Sequence, residues 1–371
     1  MAKHISVGID IGSSNIKVVI AEEVRDGVRS VQKIIGTGLS ETRGIDKGLI
    51  VSIPDVSRCV HMAVGKAAKQ AGVEVKRAYV SVSGAGLGSA IATGSVAVSR
   101  ADLEVTTLDI ENANEAAENS IPEALSINRK IINSIPLETK LDGKPALTRV
   151  EGMRGSKLEV KMLFITCLEH HLEDLIKSVE EAGIEVVDVV AGPIASSFVT
   201  LSKIQKRAGC LLLNIGAETT SMVVFEKSNP HSLEVFDVGG ADLTNDIALG
   251  LKITLEEAES VKLGSYTRAE YPKKKLDDII GRRLSNIFEL VENHLKKINR
   301  NQLLPAGVIL TGGASAQYGL KDFAESALKL HVAVGTIHFG EEEKNSNKDL
   351  PWSTAYGLAV VGFNSDNERG S

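Results

Sequence analysis

Apolar residues along this chain follow two rhythms, and their order repeats. Short Val- and Ile-rich runs read as buried strands, and longer stretches are spaced as on one face of a helix. Residues 6–11 and 16–21 flank a short turn and predict a tight hairpin, which 30–39 extends to a three-stranded meander. Pro54 opens a helix behind Ser52, a suitable N-cap, and Val56, Val60, Ala63, Val64, Ala67 and Ala71 recur at helical spacing. Gly72 ends that helix, and 78–83 reads as a buried strand.

Between Gly84 and Val160 the texture changes. Small residues alternate, 108–120 is helical, Val- and Ile-rich strand candidates occur, and Asp142-Gly143 and Gly152 mark turns. This stretch reads as an inserted subdomain. The core pattern is expected to resume with a strand over 161–167, an amphipathic helix over 168–182 closed by Gly183, and a strand over 185–190. At Gly209 the opening order restarts with strand 210–216, a turn, and strand 221–226. Helices over 243–251, 255–263 and 275–298 come next, then a β-turn-α unit from Gly307, and a last helix over 353–362 before a polar tail, 364–371. A strand–turn–strand unit repeated at long range predicts two similar half-molecules.

Length supports this division, since 371 residues exceed one compact core and leave room for an interdomain cleft. A net charge of −6 argues against a general electrostatic grip on nucleic acid. Cys59, Cys167 and Cys210 are scattered, with neither a CxxC pair nor histidines at ligand spacing, and read as reduced core thiols. Asp10 interrupts the early apolar stretch, so no signal peptide is expected, and no apolar run is long enough to cross a bilayer. The expected compartment is the cytoplasm.

The two repeated turns carry the chemistry. Gly12 lets the first turn fold tightly, and Ser13, Ser14 and Asn15 offer hydroxyls and amides to an anion. Asp10 at the strand end suits a water-mediated contact to Mg2+, and Lys17 is placed to reach back to phosphates. In the second turn Gly216, Ala217 and Thr219 permit close approach and donation, while Asn214 brings no charge to a metal. Glu218 would repel a triphosphate and is expected to point away. Thr311-Gly312-Gly313-Ala314 follows an apolar strand and allows flat approach of a base or phosphate. Glu259 and Lys262 share one helix face, and Gly239 and Gly240 complete the candidate nucleotide positions. Gly84-Ala85-Gly86-Leu87-Gly88 has no helix after it and no acidic partner, so it is not a dinucleotide fingerprint, and no P-loop exists. Arg282, Arg283, Lys296, Lys297 and Arg300 on or beside the long helix read as a solvated basic face, with a partner surface as the alternative.

The set Asp10-x-Gly12-Ser13-Ser14 with Lys17, the second turn, Ala258-Glu259-x-x-Lys262 and Thr311-Gly312-Gly313 resembles the actin, Hsp70 and sugar-kinase ATPase superfamily. Arg43-Gly44-Ile45-Asp46-Lys47-Gly48, Ile135-Pro136-Leu137, Gly152-Met153-Arg154 and Phe164-Ile165-Thr166-Cys167 look like the bacterial cell-division FtsA family, over nearly the whole chain. That resemblance implies an α/β fold of duplicated, ribonuclease-H-like, actin-like domains around a nucleotide cleft. Subdomain 1A would take 1–83 and 161–208, the inserted 1C 84–160, 2A 209–242 and 303–352, and 2B 243–302, with a closing helix over 353–363. It further implies ATP with Mg2+, the ion held through water by Asp10 and Asn214, and self-association into filaments. Binding of the FtsZ C-terminal tail at 2B is implied too, as is attachment to the cytoplasmic face of the membrane at the division site through a C-terminal amphipathic helix. The apolar-poor stretch 364–371 does not match that anchor and is expected to reflect truncation.

Two departures, Asn214 in place of the superfamily's aspartate and Gly192 before Pro193 where relatives position water with a carboxylate or glutamine, imply slow or absent hydrolysis. A PilM-like pilus-assembly platform protein is the alternative of the same fold. A small-molecule kinase would need a base that the sequence does not offer beyond Asp10.

Overall fold

The first apolar runs pair as expected but extend further. β1 (His4–Ile11) and β2 (Asn15–Asp26) form an antiparallel hairpin with Asp10 opposite Lys17, and β3 (Arg29–Glu41) adds antiparallel to β2. The computed structural model describes residues 4–26, 29–146, 148–264, 271–317, 319–340, 342–344 and 349–369. A small hairpin, β4 (Ile45–Asp46) and β5 (Leu49–Ile50), precedes α1 (Ile53–Ala71). α1 buries Val56, Cys59, Val60, Ala63, Val64 and Ala67 and lies on β3. A fully buried valine there contributes roughly 1.5–3 kcal/mol. β6 (Arg77–Val82) then runs parallel to β1.

The insert has its own sheet. β7 (Leu87–Ala97), α2 (Thr107–Asn119), α3 (Glu123–Ser126), β8 (Arg129–Leu141), β9 (Lys144–Pro145) and β10 (Lys157–Leu168) give four antiparallel strands in the order β7-β10-β8-β9. The strand expected over 161–167 to return the chain to the main core is therefore the second half of β10, at the centre of the insert's sheet. Leu158, Val160, Met162 and Phe164 pack in the insert's core, whereas Leu163, Ile165 and Cys167 pack in the core of the first half. A strand buried on both faces cannot be told by pattern from a parallel core strand.

α4 (Glu169–Glu180) leads to β11 (Glu185–Ala191), parallel to β6, and α5 (Gly192–Thr200) and α6 (Lys203–Ala208) connect to the second half. There β12 (Cys210–Ile215), β13 (Thr220–Glu226) and β14 (Asn229–Phe236) form the second meander, followed by α7 (Gly240–Leu251), α8 (Leu255–Lys262), α9 (Lys273–Lys297) and β15 (Val308–Thr311). β15 is followed by a single 3-10 turn (Gly313–Ala316) where a helix is expected, and α10 begins only at Leu320 (Leu320–Leu328). β16 (Val332–Val334), β17 (Ile337–Phe339), β18 (Glu342–Lys344) and α11 (Ser353–Arg369) close the chain.

The two main sheets have one topology. Their orders are β3-β2-β1-β6-β11 and β14-β13-β12-β15-β16, each an antiparallel meander joined through its first strand to two parallel strands. The duplication is thus in the fold as well as in the turns. α11 returns from the second half to pack on β1 and α5, burying Ala355, Tyr356, Leu358, Ala359 and Phe363. It continues to Arg369, so 364–369 is helical and the expected tail is shorter than its reading, with no glycine or proline between Asn364 and Arg369 to stop the helix. Gly370 and Ser371 lie outside the described residues. All three cysteines are buried free thiols. Among the described residues no helix is long and apolar enough to cross a membrane.

Candidate functional site

The turns after β1 and β12 face one cleft of ≈ 570 Å³ between the halves, within the range that holds a small-molecule ligand. Asp10, Gly12, Ser13, Ser14, Asn15 and Lys17 line it from the first half. Asn214, Gly216, Ala217, Glu218, Thr219, Gly240, Glu259, Lys262, Gly312, Gly313 and Ala314 line it from the second.

Each turn is fixed by its carbonyls. The Thr42 hydroxyl donates to the Gly12 carbonyl at 2.7 Å, and the Thr42 N–H to the Ser14 carbonyl at 3.0 Å. In the second turn the N–H groups of Gly240 and Ala241 donate to the carbonyls of Gly216 (2.9 Å) and Ala217 (2.7 Å). Because a trans peptide points its N–H opposite its C=O, the amides of Ser13 in one turn and of Ala217 and Glu218 in the other face away from these supports. A side chain at Gly12 would come within 3.0 Å of the Asn15 carbonyl, and one at Gly216 within 3.0 Å of the Thr219 carbonyl. Both turns are equally intolerant of bulk. Gly239 is absent from the cleft lining, because it packs against the backbone of Ala217 and Glu218 and its N–H donates to the Asp242 carboxylate at 2.8 Å.

Asp10 is 7% exposed. The Ser81 hydroxyl donates to its Oδ1 at 2.9 Å, Lys17 Nζ lies 3.5 Å from its Oδ2, and the Ile11 N–H donates to Ser81 Oγ at 3.2 Å. The parallel register of Val80 beside Ile9 places Ser81 there, so only sheet pairing could have revealed it. Asn214 is pressed against Gly312, whose φ of 92° and missing Cβ make room for the Asn214 carbonyl oxygen. Among the described residues no group of three or more His, Cys, Asp or Glu is arranged around a metal position. One carboxylate and one amide at the two strand ends are a donor set for a hydrated Mg2+ on phosphates rather than for a closed protein cage.

The Glu259–Lys262 pair is more than a surface ion pair. Lys262 Nζ is 2.6 Å from Glu259 Oε2 and donates to the Thr244 hydroxyl (2.9 Å) and the Gly240 carbonyl (3.2 Å), while Thr244 donates to Glu259 at 2.6 Å. The lysine side chain is only 9% exposed. Thr244, one turn after Gly240 on α7, is given no role by the sequence reading, since a lone threonine carries no spacing signal.

Glu218 lines the cleft, and its carboxylate is directed to the opposite half. Its Oε2 accepts the backbone N–H of Lys47 at 2.7 Å, joining the second turn to the β4–β5 hairpin of the other half. Positive φ at Lys47 (49°) and Gly48 (77°) is the signature of the hairpin turn that sets this amide, and Gly48 sits directly on Gly84. Gly84 and Gly86 thus support that hairpin, whereas Gly88 lies in β7 against Arg129. Gly192 opens α5 against the Ser83 hydroxyl, which a Cβ would strike. Of the basic residues near α9, Arg283 chelates Asp246 (2.6 and 3.0 Å), Lys296 pairs with Glu292 (3.0 Å) and Arg300 with Glu226 (2.8 Å). Arg282, Lys296 and Lys297 are exposed, as on a solvated face.

Comparison with known proteins places this architecture. A family model described as "Cell division protein FtsA" matches residues 211–357, and one described as "SHS2 domain inserted in FTSA" matches 84–166. Cell division protein FtsA of Bacillus subtilis is 31% identical over 355 residues, 90% of this chain and 79% of the relative. Among solved structures, the PilM-PilN type IV pilus biogenesis complex aligns at a TM-score of 0.68 and 20% identity, over 96% of this chain and 98% of the other. MreB 5 of Spiroplasma citri bound to AMPPNP aligns at 0.57 and 12% identity over the full length of both chains. The structural likenesses are of fold alone.

Proposed function

Because this chain belongs to the family of cell division protein FtsA, we propose that it binds ATP with Mg2+ in its cleft and assembles into actin-like filaments. We further propose that it links FtsZ filaments to the cytoplasmic face of the membrane at the division site. The observation that carries the nucleotide reading is the facing pair of glycine turns on duplicated sheets, backed by Asp10 and Lys17 on one side and by the Lys262 cluster on the other. Bound ATP would supply the polyanion that spans the two turns. The amides of Ser13 and Ala217 and the hydroxyls of Ser13, Ser14 and Thr219 would hold its phosphates, with Asn15 beside them and Lys17 adding charge. Asp10 and Asn214 would hold the Mg2+ through water. Glu259, Lys262, Gly312, Gly313 and Ala314 border the remaining length of the cleft and would take the nucleoside, supported by Gly240 and, from behind, Gly239.

Turnover would be slow. Asn214 lacks a charge, and Gly192 has no side chain with which to position water. The FtsZ tail would bind on 243–302. Equilibrium titration of the full chain with Mg2+–ATP, together with steady-state phosphate release and pull-down on an FtsZ tail peptide, tests the reading. Binding with little phosphate release and specific capture is expected. Failure to bind ATP, or turnover at the rate of chaperone ATPases, would overturn the nucleotide part, and a peptide that is not captured would overturn the adaptor part.

A further inference from the structure

We propose that Glu218 makes the cleft sense the number of phosphates on its nucleotide, opposing the terminal phosphate of a triphosphate and tolerating a diphosphate. The inference rests on the nucleotide reading above. Glu218 stands at the tip of the second turn, between Ala217 and Thr219, and lines the cleft. Its carboxylate is aimed across the cleft mouth, where Oε2 takes the Lys47 N–H of the opposite half at 2.7 Å. That amide is held by the Lys47-Gly48 turn and by the packing of Gly48 on Gly84.

Two consequences follow from charge and position. A carboxylate among amides that suit phosphate is a like charge to any phosphate brought between the turns, and the repulsion grows with each added phosphate charge. The carboxylate also already occupies a backbone N–H of the first half, the kind of donor a terminal phosphate would use. A triphosphate must therefore coexist with the Glu218 charge or displace it from Lys47, whereas a shorter diphosphate leaves the bridge between the halves in place. Displacement would remove the tie between the second half and the β4–β5 hairpin, which carries the exposed Lys47 and follows the exposed Arg43.

Glu218→Gln separates charge from contact, because its amide oxygen still accepts from the Lys47 N–H. Titration of the full chain with ADP and ATP, each with Mg2+ and with EDTA, is the test. The wild type is expected to favour ADP, and Glu218→Gln to tighten ATP about tenfold while ADP moves less than about twofold, in both conditions. In parallel, trypsin should cut at Arg43 and Lys47 faster with ATP than with ADP in the wild type, and equally fast with either in Glu218→Ala. An unchanged ATP-to-ADP ratio in Glu218→Gln overturns the proposal. So does weaker ATP binding confined to Mg2+, which would make Glu218 a group on the metal's hydration shell. A wild type that binds neither nucleotide sinks the nucleotide reading itself, a failure visible before any substitution is made.

Discussion

Asp10 and His294 show how neighbours give one residue its role. Asp10 is buried between the Ser81 hydroxyl and Lys17, so Asp10→Asn keeps an acceptor for Ser81 and removes only the charge. It is expected to fold and to bind nucleotide with the Mg2+-dependent part of the affinity lost. Titration with and without Mg2+ decides, and a variant retaining the full Mg2+ dependence would remove Asp10 from the ion's site. His294 of α9 has the Ser232 hydroxyl 2.7 Å from Nε2 and Glu234 3.3 Å from Nδ1. Burial, aided by Lys297, lowers its pKa from 6.5 to about 4. The unfolded chain then binds a proton that the folded chain excludes between those values. Stability is full above about pH 6.5 and falls as pH drops toward 4. Urea unfolding across that window should show a shallower fall in His294→Asn, and an identical slope would refute the assignment.

At the scale of elements, the inserted sheet depends on one close approach. α2 lies on β7 where Gly94 meets the backbone of Ala113, Ala116 and Ala117, and a Cβ there would strike the Ala113 carbonyl. α2 is anchored by a capping box, the Thr106 N–H donating to the Asp109 carboxylate at 2.8 Å and the Asp109 N–H to the Thr106 hydroxyl at 3.3 Å, and the Ser99 N–H donates to the same carboxylate at 2.9 Å, so it cannot simply slide. Gly94→Ala is expected to destabilise by roughly 1–3 kcal/mol through overpacking, read as a lower Tm of the full chain. An unchanged Tm would mean that α2 shifts freely. The insert's helix was legible from spacing, since 108–120 falls almost wholly within Thr107–Asn119. The placement of β10 was not, because its two faces serve two different cores.

For the whole molecule, the cleft couples the halves, so a ligand that binds both turns should stabilise them together. Mg2+–ATP is expected to raise Tm with concentration, by linkage, and Gly192→Asp to lower stability, because its Cβ must displace the Ser83 hydroxyl, without restoring phosphate release, because Asn214 still leaves the second strand end uncharged. Faster release in that variant would overturn the account of slow turnover. Much of this architecture was written in the chain. The paired turns, the meanders, the long helices and the break at Gly84 follow from local apolar periodicity and from glycine where the backbone must turn tightly, and local rules are what sequence encodes most directly. Tertiary structure alone decided that Ser81 would back Asp10, that Lys262 would be buried on Thr244 and Gly240, and that Glu218 would cross to Lys47. Each of these contacts depends on strand register or on the approach of segments far apart in sequence, and no periodicity along the chain specifies such a meeting.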